Sequence, residues 1–195
     1  MEGKIFVRAE AGKISGDLVP AASDNGISVL LDGSVQNFRL LGKGCGNCAA
    51  DSEAILRFFS DSIDEKQPFS FSFQEKEKAW GKRKRTGFAE KRQVNADYHE
   101  KNFSAALKEF YGVASGGHAI ALAGKGMFFA FRDFLGIKPL WYGEKKETFA
   151  ISSTPHALKE IGLVPWALSP GHLIALSEEG PLISKVFDLQ DFRKT

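Results

Sequence analysis

HAIALAGKGMFFAFRDFLGIKPLWYG, residues 118–143, is the stretch on which the fold turns. Two apolar runs flank Gly124-Lys125-Gly126, whose glycines permit the positive φ of a tight turn, so 118–133 reads as a β-hairpin. Directly after it, Gly136 and Pro139 shape a second turn, which Arg132 and Asp133 are placed to brace through buried hydrogen bonds. Upstream, Phe103, Ala106, Leu107 and Phe110 recur at helical spacing and predict a helix over 102–112, ending at Gly112. Ala54, Ile55, Phe58 and Phe59 do the same behind an Asp51-Ser52-Glu53 start, predicting a capped helix over 51–62. KIFVRAE (4–10) and ISVLLDG (27–33) read as strands between Gly and Asp-Asn-Gly punctuation. Downstream, GLVPWALSPGHLIALSEEG (162–180) and LISKVF (182–187) supply the remaining strands, and ISSTPHALKEIG (151–162) a short helix. Helices among antiparallel hairpins, without regular strand-helix alternation, predict an α+β sandwich of two antiparallel sheets flanked by helices.

The composition is that of an ordinary folded domain and excludes several function classes. With 17 Phe, 3 Trp and 3 Tyr in 195 residues, the chain has ample apolar surface to form a core, so we read residues 1–195 as one domain. A formal charge of +2 gives too weak a field to argue for a nucleic-acid or membrane partner. No stretch approaches the roughly 20 apolar residues of a membrane span, and MEGKIFVRAEAGK lacks the apolar core of a signal peptide, so the expected location is the cytoplasm.

Residues 64–101 break the globular texture. Phe69, Phe71 and Phe73 alternate with Ser, and the run from Glu75 to Gln93 carries eight Lys/Arg against three Glu. This segment reads as an exposed, basic insertion. Lys82-Arg83-Lys84-Arg85, beside Trp80 and Phe88, has the charge and rings that contact nucleic acid, but no fold-level nucleic-acid motif accompanies it, and a solvated loop is the preferred reading.

FRDFLGIKPLWYG (131–143), ISSTPHALKEIG (151–162) and SPGHLIALSEEG (169–180), in that order, resemble the second half of a class II glutamine amidotransferase domain. This is the Ntn-hydrolase type found in amidophosphoribosyltransferase, asparagine synthetase and glutamate synthase. Arg132, Asp133, Gly136, Ile137, Lys138, Pro139 and Leu140 match its pattern without a gap. LLDGSVQNFRLL (30–41) is similar to the family's His-Asn-Gly segment, ADSEAIL (50–56) to its Asp-Thr-Glu-Val-Ile segment, and VRAEA (7–11) to the strand carrying its substrate arginine. The resemblance covers roughly 1–60 and 102–187 and implies an Ntn-type sandwich missing its first strands.

A free amino acid needs a cation for its carboxylate and an anion for its ammonium, and Arg8 and Asp51 supply such a pair. The resemblance implies that both hold glutamine, although Asp51 also serves as a helix N-cap, which needs no ligand. Gly33 lets the backbone aim an N–H at a developing oxyanion. Asp32 aligns with the family's oxyanion-hole asparagine, yet a carboxylate only accepts hydrogen bonds and repels an oxyanion. Family members begin with a nucleophilic cysteine, whereas this chain begins Met1-Glu2-Gly3. The resemblance therefore implies Arg8, Asp32, Gly33 and Asp51 as substrate-binding residues, no catalytic residue, and a protein inactive on its own. Its expected role is that of a scaffold or amino-acid-binding subunit, with a protein partner or as a homo-oligomer, in an ammonia-using or synthase assembly that handles glutamine or glutamate. Two alternatives stand beside it: a glutaminase completed by a separate N-terminal segment, and an amino-acid or nucleic-acid binding module.

Cys45-Gly-Asn-Cys48 has the spacing of redox pairs and metal half-sites. His99, His118, His156 and His172 are scattered without paired spacing, so no metal and no cofactor are expected, and small residues entering a helix are the preferred reading. A redox switch at this pair requires the sulfurs to be accessible.

Overall fold

Alternate residues of the 118–132 hairpin go to opposite faces of its sheet, and that division organises the layers. Ile120, Leu122, Phe129 and Phe131 join one buried cluster with Ala54, Ile55, Phe59, Phe103, Leu107 and Phe110 from the helices. Their neighbours Ala119, Ala121, Phe128 and Ala130 join a second cluster with Phe149 and Ile151 from the other sheet and Leu140 from the segment leading into it. The small alanines leave room between the sheets for Phe128 and Phe149, whose rings meet edge to face at 6.2 Å.

The computed structural model describes residues 6–10, 13–15, 22–24, 27–42, 45–60, 103–124, 127–145, 148–177 and 180–187. In chain order these form β1 (Phe6–Glu10), β2 (Lys13–Ser15), β3 (Ala22–Asp24), β4 (Ile27–Gly33) and α1 (Asp51–Ser60). There follow α2 (103–113), β5 (His118–Gly124), β6 (Met127–Arg132), β7 (Trp141–Lys145), β8 (Thr148–Ser152), α3 (Pro155–Glu160), β9 (Trp166–Ala167), β10 (His172–Ser177) and β11 (Gly180–Lys185). Among the described residues, one sheet has the order β2-β1-β8-β7-β9 and the other β11-β10-β6-β5-β4-β3. Every pairing between neighbouring strands is antiparallel.

Four layers result: α1 with α2, the six-stranded sheet, the five-stranded sheet, and α3, where Leu158 and Leu163 pack on Ala150 of β8. The helix layer is held by aromatic packing, with Phe103 stacked on Phe59 at 4.8 Å and on Phe129 at 4.0 Å. Each such fully buried ring contributes about 1.5–3 kcal/mol relative to exposure. The expected α+β sandwich is therefore the fold.

Local readings differ in two places, and one segment lies outside the described residues. Helix α2 continues one residue past Gly112, because the Ala114 N–H still bonds to the Phe110 carbonyl at 2.7 Å. Strands β7 and β8 were not read from the sequence; β7 runs half-buried, half-buried, buried, exposed, exposed, which is no clean alternation. The basic segment 64–101 lies outside the described residues.

Candidate functional site

Strand β4 ends at Gly33, where φ is +101°, a left-handed backbone that side chains other than glycine's resist. A Cβ there would fall 2.2 Å from the Gly117 carbonyl oxygen and 3.0 Å from Lys138 Cγ, so close approach as well as conformation demands glycine. His118, opposite Gly33 in the ladder, directs its N–H to Asp133 Oδ2 (3.4 Å) and its carbonyl to the Asp133 N–H (2.7 Å). Beyond Gly33 the chain is zipped onto the α2–β5 connection, Ser34 donating to Gly117 O and Gln36 to Ser115 O, each at 2.9 Å. Asn37 completes the zipper with Nδ2 on Val113 O (2.6 Å) and Oδ1 accepting from Ser115 N (2.7 Å).

Asp51 and Asp133 brace this turn and the next one. Asp51 Oδ2 accepts the Val35 N–H at 3.0 Å, while Oδ1 accepts the Ser52 N–H at 2.8 Å at the start of α1. Glu53 closes the same helix end by accepting the Ala49 N–H at 2.9 Å. Asp133 accepts the backbone N–H groups of Ile137 (2.8 Å) and Lys138 (2.9 Å). The Arg132 guanidinium donates to the carbonyls of Gly136 and Leu168. The bracing role read for Arg132 and Asp133 is what the geometry displays. So fixed, Lys138 lays its side chain over Gly33 and brings Nζ to 3.2 Å from Asp32 Oδ1.

Comparisons with known proteins bear on the family and the fold. A sequence model of the glutamine amidotransferase domain matches residues 60–160. The chain belongs to the glutamine amidotransferase domain family. No curated protein sequence matches it significantly. Among solved structures, the glutamine phosphoribosylpyrophosphate amidotransferase from B. subtilis, complexed with ADP and GMP, superposes with a TM-score of 0.58 at 12% identity. That likeness covers 95% of this chain and 43% of the enzyme, so the chain spans less than half of its length. A structure described as the allosteric regulatory enzyme of purine biosynthesis gives a TM-score of 0.57 at 12% identity, with the same 95% and 43% coverage. These likenesses establish the fold as that of the Ntn-type amidotransferase domains.

Within this amidotransferase domain the structure brings Asp32, Gly33 and Asp51 to one turn, Asp51 reaching it through Val35. Arg8 is in β1 of the other sheet, at the register position opposite Ala150 of β8, on which Leu158 of α3 packs. Its backbone register is all that is described.

Two residues gain importance beyond their sequence signal. Lys138 was visible as part of the Gly-Ile-Lys-Pro-Leu run, but nothing in spacing announced its contact with Asp32. His118 is fully buried against Phe110, ring centroids 5.4 Å apart, and neither ring nitrogen has a hydrogen-bond partner among the described residues. Burial lowers its pKa to about 4, against the opposing pull of Asp133, the Gly116 backbone and Asp51. Above these groups the Tyr111 hydroxyl donates to Arg132 O at 2.6 Å, and burial, with Asp133, pushes its pKa well up.

Cys45 and Cys48 are both buried in the helix-side cluster, with exposures of 1% and 2%, and Cys45 Sγ lies 3.7 Å from Ala54 O. This burial leaves the condition for a redox switch unmet and agrees with the preferred reading of small residues packed where the chain enters α1. Among the described residues no group of His, Cys, Asp or Glu is arranged to hold a metal ion. No helix among them is long and apolar enough to cross a membrane.

Proposed function

We propose that this domain binds glutamine or glutamate but does not by itself hydrolyse the amide, acting as a scaffold or amino-acid-binding subunit of an assembly that uses ammonia. The observation that carries the reading is the Asp32–Lys138 ion pair at 3.2 Å, beside Gly33. Where the resemblance calls for an asparagine amide donor, a carboxylate engaged by an ammonium stands instead. Gly33 keeps the backbone half of the hole, which supports retained ligand contact. Asp51, held by Val35 and Ser52, supplies the anion for a ligand ammonium, and Arg8 the cation for its carboxylate. The domain works in the cytoplasm with a protein partner or a second copy of itself.

Incubating the purified chain with glutamine and measuring ammonia, alongside calorimetric titration with glutamine and glutamate, tests the proposal. Binding without ammonia release is expected. Thiol-dependent release at enzymatic rates overturns the inactive reading, and absence of binding to either amino acid overturns the binding one.

A further inference from the structure

The Asp32–Lys138 pair is unequal in its exposure: the Asp32 side chain is 9% accessible and that of Lys138 23%. Of the two, the Lys138 side chain is the more open to an approaching molecule. Lys138 is also well held. Its backbone N–H is fixed by Asp133 Oδ2 at 2.9 Å, its stem lies over Gly33, and Asp32 orients Nζ. An ammonium carries three N–H donors, so an ion pair to one carboxylate oxygen and a contact to a ligand oxygen are compatible.

We infer that Lys138 is the ligand-recognising donor of this site, with Asp32 as its positioning residue, and that together they replace the side-chain amide that an asparagine at residue 32 would offer. The group recognised is the side-chain carbonyl or carboxylate oxygen of an amino acid, which Lys138 meets beside the Gly33 backbone. This inference rests on the amino-acid-binding reading proposed above and assigns its selectivity to one residue. It also gives the acidic residue a purpose: without an ammonium, Asp32 would repel the ligand oxygen, and with it the pair is neutral and a net donor.

Calorimetry with glutamine and with glutamate, on the wild type, Lys138→Met, Lys138→Arg and the double variant Asp32→Asn/Lys138→Met, tests this. Lys138→Met is expected to weaken binding about tenfold or more, as loss of a charge-assisted hydrogen bond does. Lys138→Arg keeps a donor and stays closer to wild type. The double variant regains affinity over Lys138→Met, because the introduced asparagine amide then offers its own N–H₂. Thermal melting confirms that each variant is folded, and Lys138→Gln replaces Lys138→Met if the latter is not. If the wild type binds and Lys138→Met binds equally well, or the double variant is no better than Lys138→Met, the inference is overturned while the binding reading survives. A wild type that binds neither amino acid overturns both.

Discussion

The Asp51 carboxylate at the start of α1 accepts the Val35 backbone N–H at 3.0 Å, tying the first helix to the turn that follows Gly33. Asp51 thus acts on the candidate site through backbone geometry, whatever it does for a ligand. Asp51→Ala leaves that part-buried N–H without its acceptor and removes a bond at the helix start. A loss of about 1–3 kcal/mol is expected in urea unfolding, with Asp51→Asn, which keeps one acceptor oxygen, falling between. Wild-type stability in Asp51→Ala would show the contact to be incidental.

Gly33→Ala is expected to cost more. The substitution places a Cβ 2.2 Å from the Gly117 carbonyl oxygen on a backbone with φ of +101°. Left-handed strain of about 1–2 kcal/mol adds to the displacement of a carbonyl that holds Ser34. Melting temperature reports it, each kcal/mol being worth roughly 2–4 °C in a chain of this size. A fall below the resolution of the measurement would mean that the turn relaxes freely.

The sandwich was legible because its deciding signals are local and periodic. The 118–132 hairpin is two apolar runs about a glycine turn, and the stripes of α1 and α2 repeat at helical spacing, so local patterns declare both elements. β7 and β8 were not legible: β7 runs half-buried, half-buried, buried, exposed, exposed, and β8 is buried over its last four residues, so neither alternates. Of the site, Asp32, Gly33 and Asp51 were found through motif resemblance. Their connections were hidden, since Lys138 meets Asp32 across 106 positions, 138 less 32, and nothing local encodes that contact. The buried state of Cys45 and Cys48 was equally invisible, because a C-x-x-C spacing is the same in a core as at a surface.

Asp133→Ala should destabilise more than any single exposed substitution. Its carboxylate accepts the N–H groups of Ile137, Lys138 and, at 3.4 Å, His118, so its removal leaves three donors unsatisfied beside a buried strand end. About 3 kcal/mol or more is expected from chemical unfolding, at about 1–3 per orphaned group. Lys138 also loses its anchor, so any glutamine affinity falls in the same variant. Asp133→Asn separates the effects by retaining one acceptor, and a stability equal to that of Asp133→Ala would contradict the bracing role.

His118 makes the fold sensitive to mild acid. Its pKa in the folded chain is about 4, below the ordinary 6.5, because burial disfavours the imidazolium more than Asp133 and Asp51 favour it. Between those values the unfolded chain binds a proton that the folded one does not. Stability therefore falls as pH drops from about 6.5 to about 4, and this contribution is complete below that and absent well above 6.5. The full loss is on the order of 3 kcal/mol, at about 1.4 kcal/mol per unit. Carboxylates titrate in the same window, so the readout is the difference between the wild type and His118→Leu in urea midpoints from pH 7 to pH 4. The Leu variant is expected to hold its stability better as pH falls. Parallel pH profiles for the two proteins would show that the imidazole ring is already solvated or partnered in the native state.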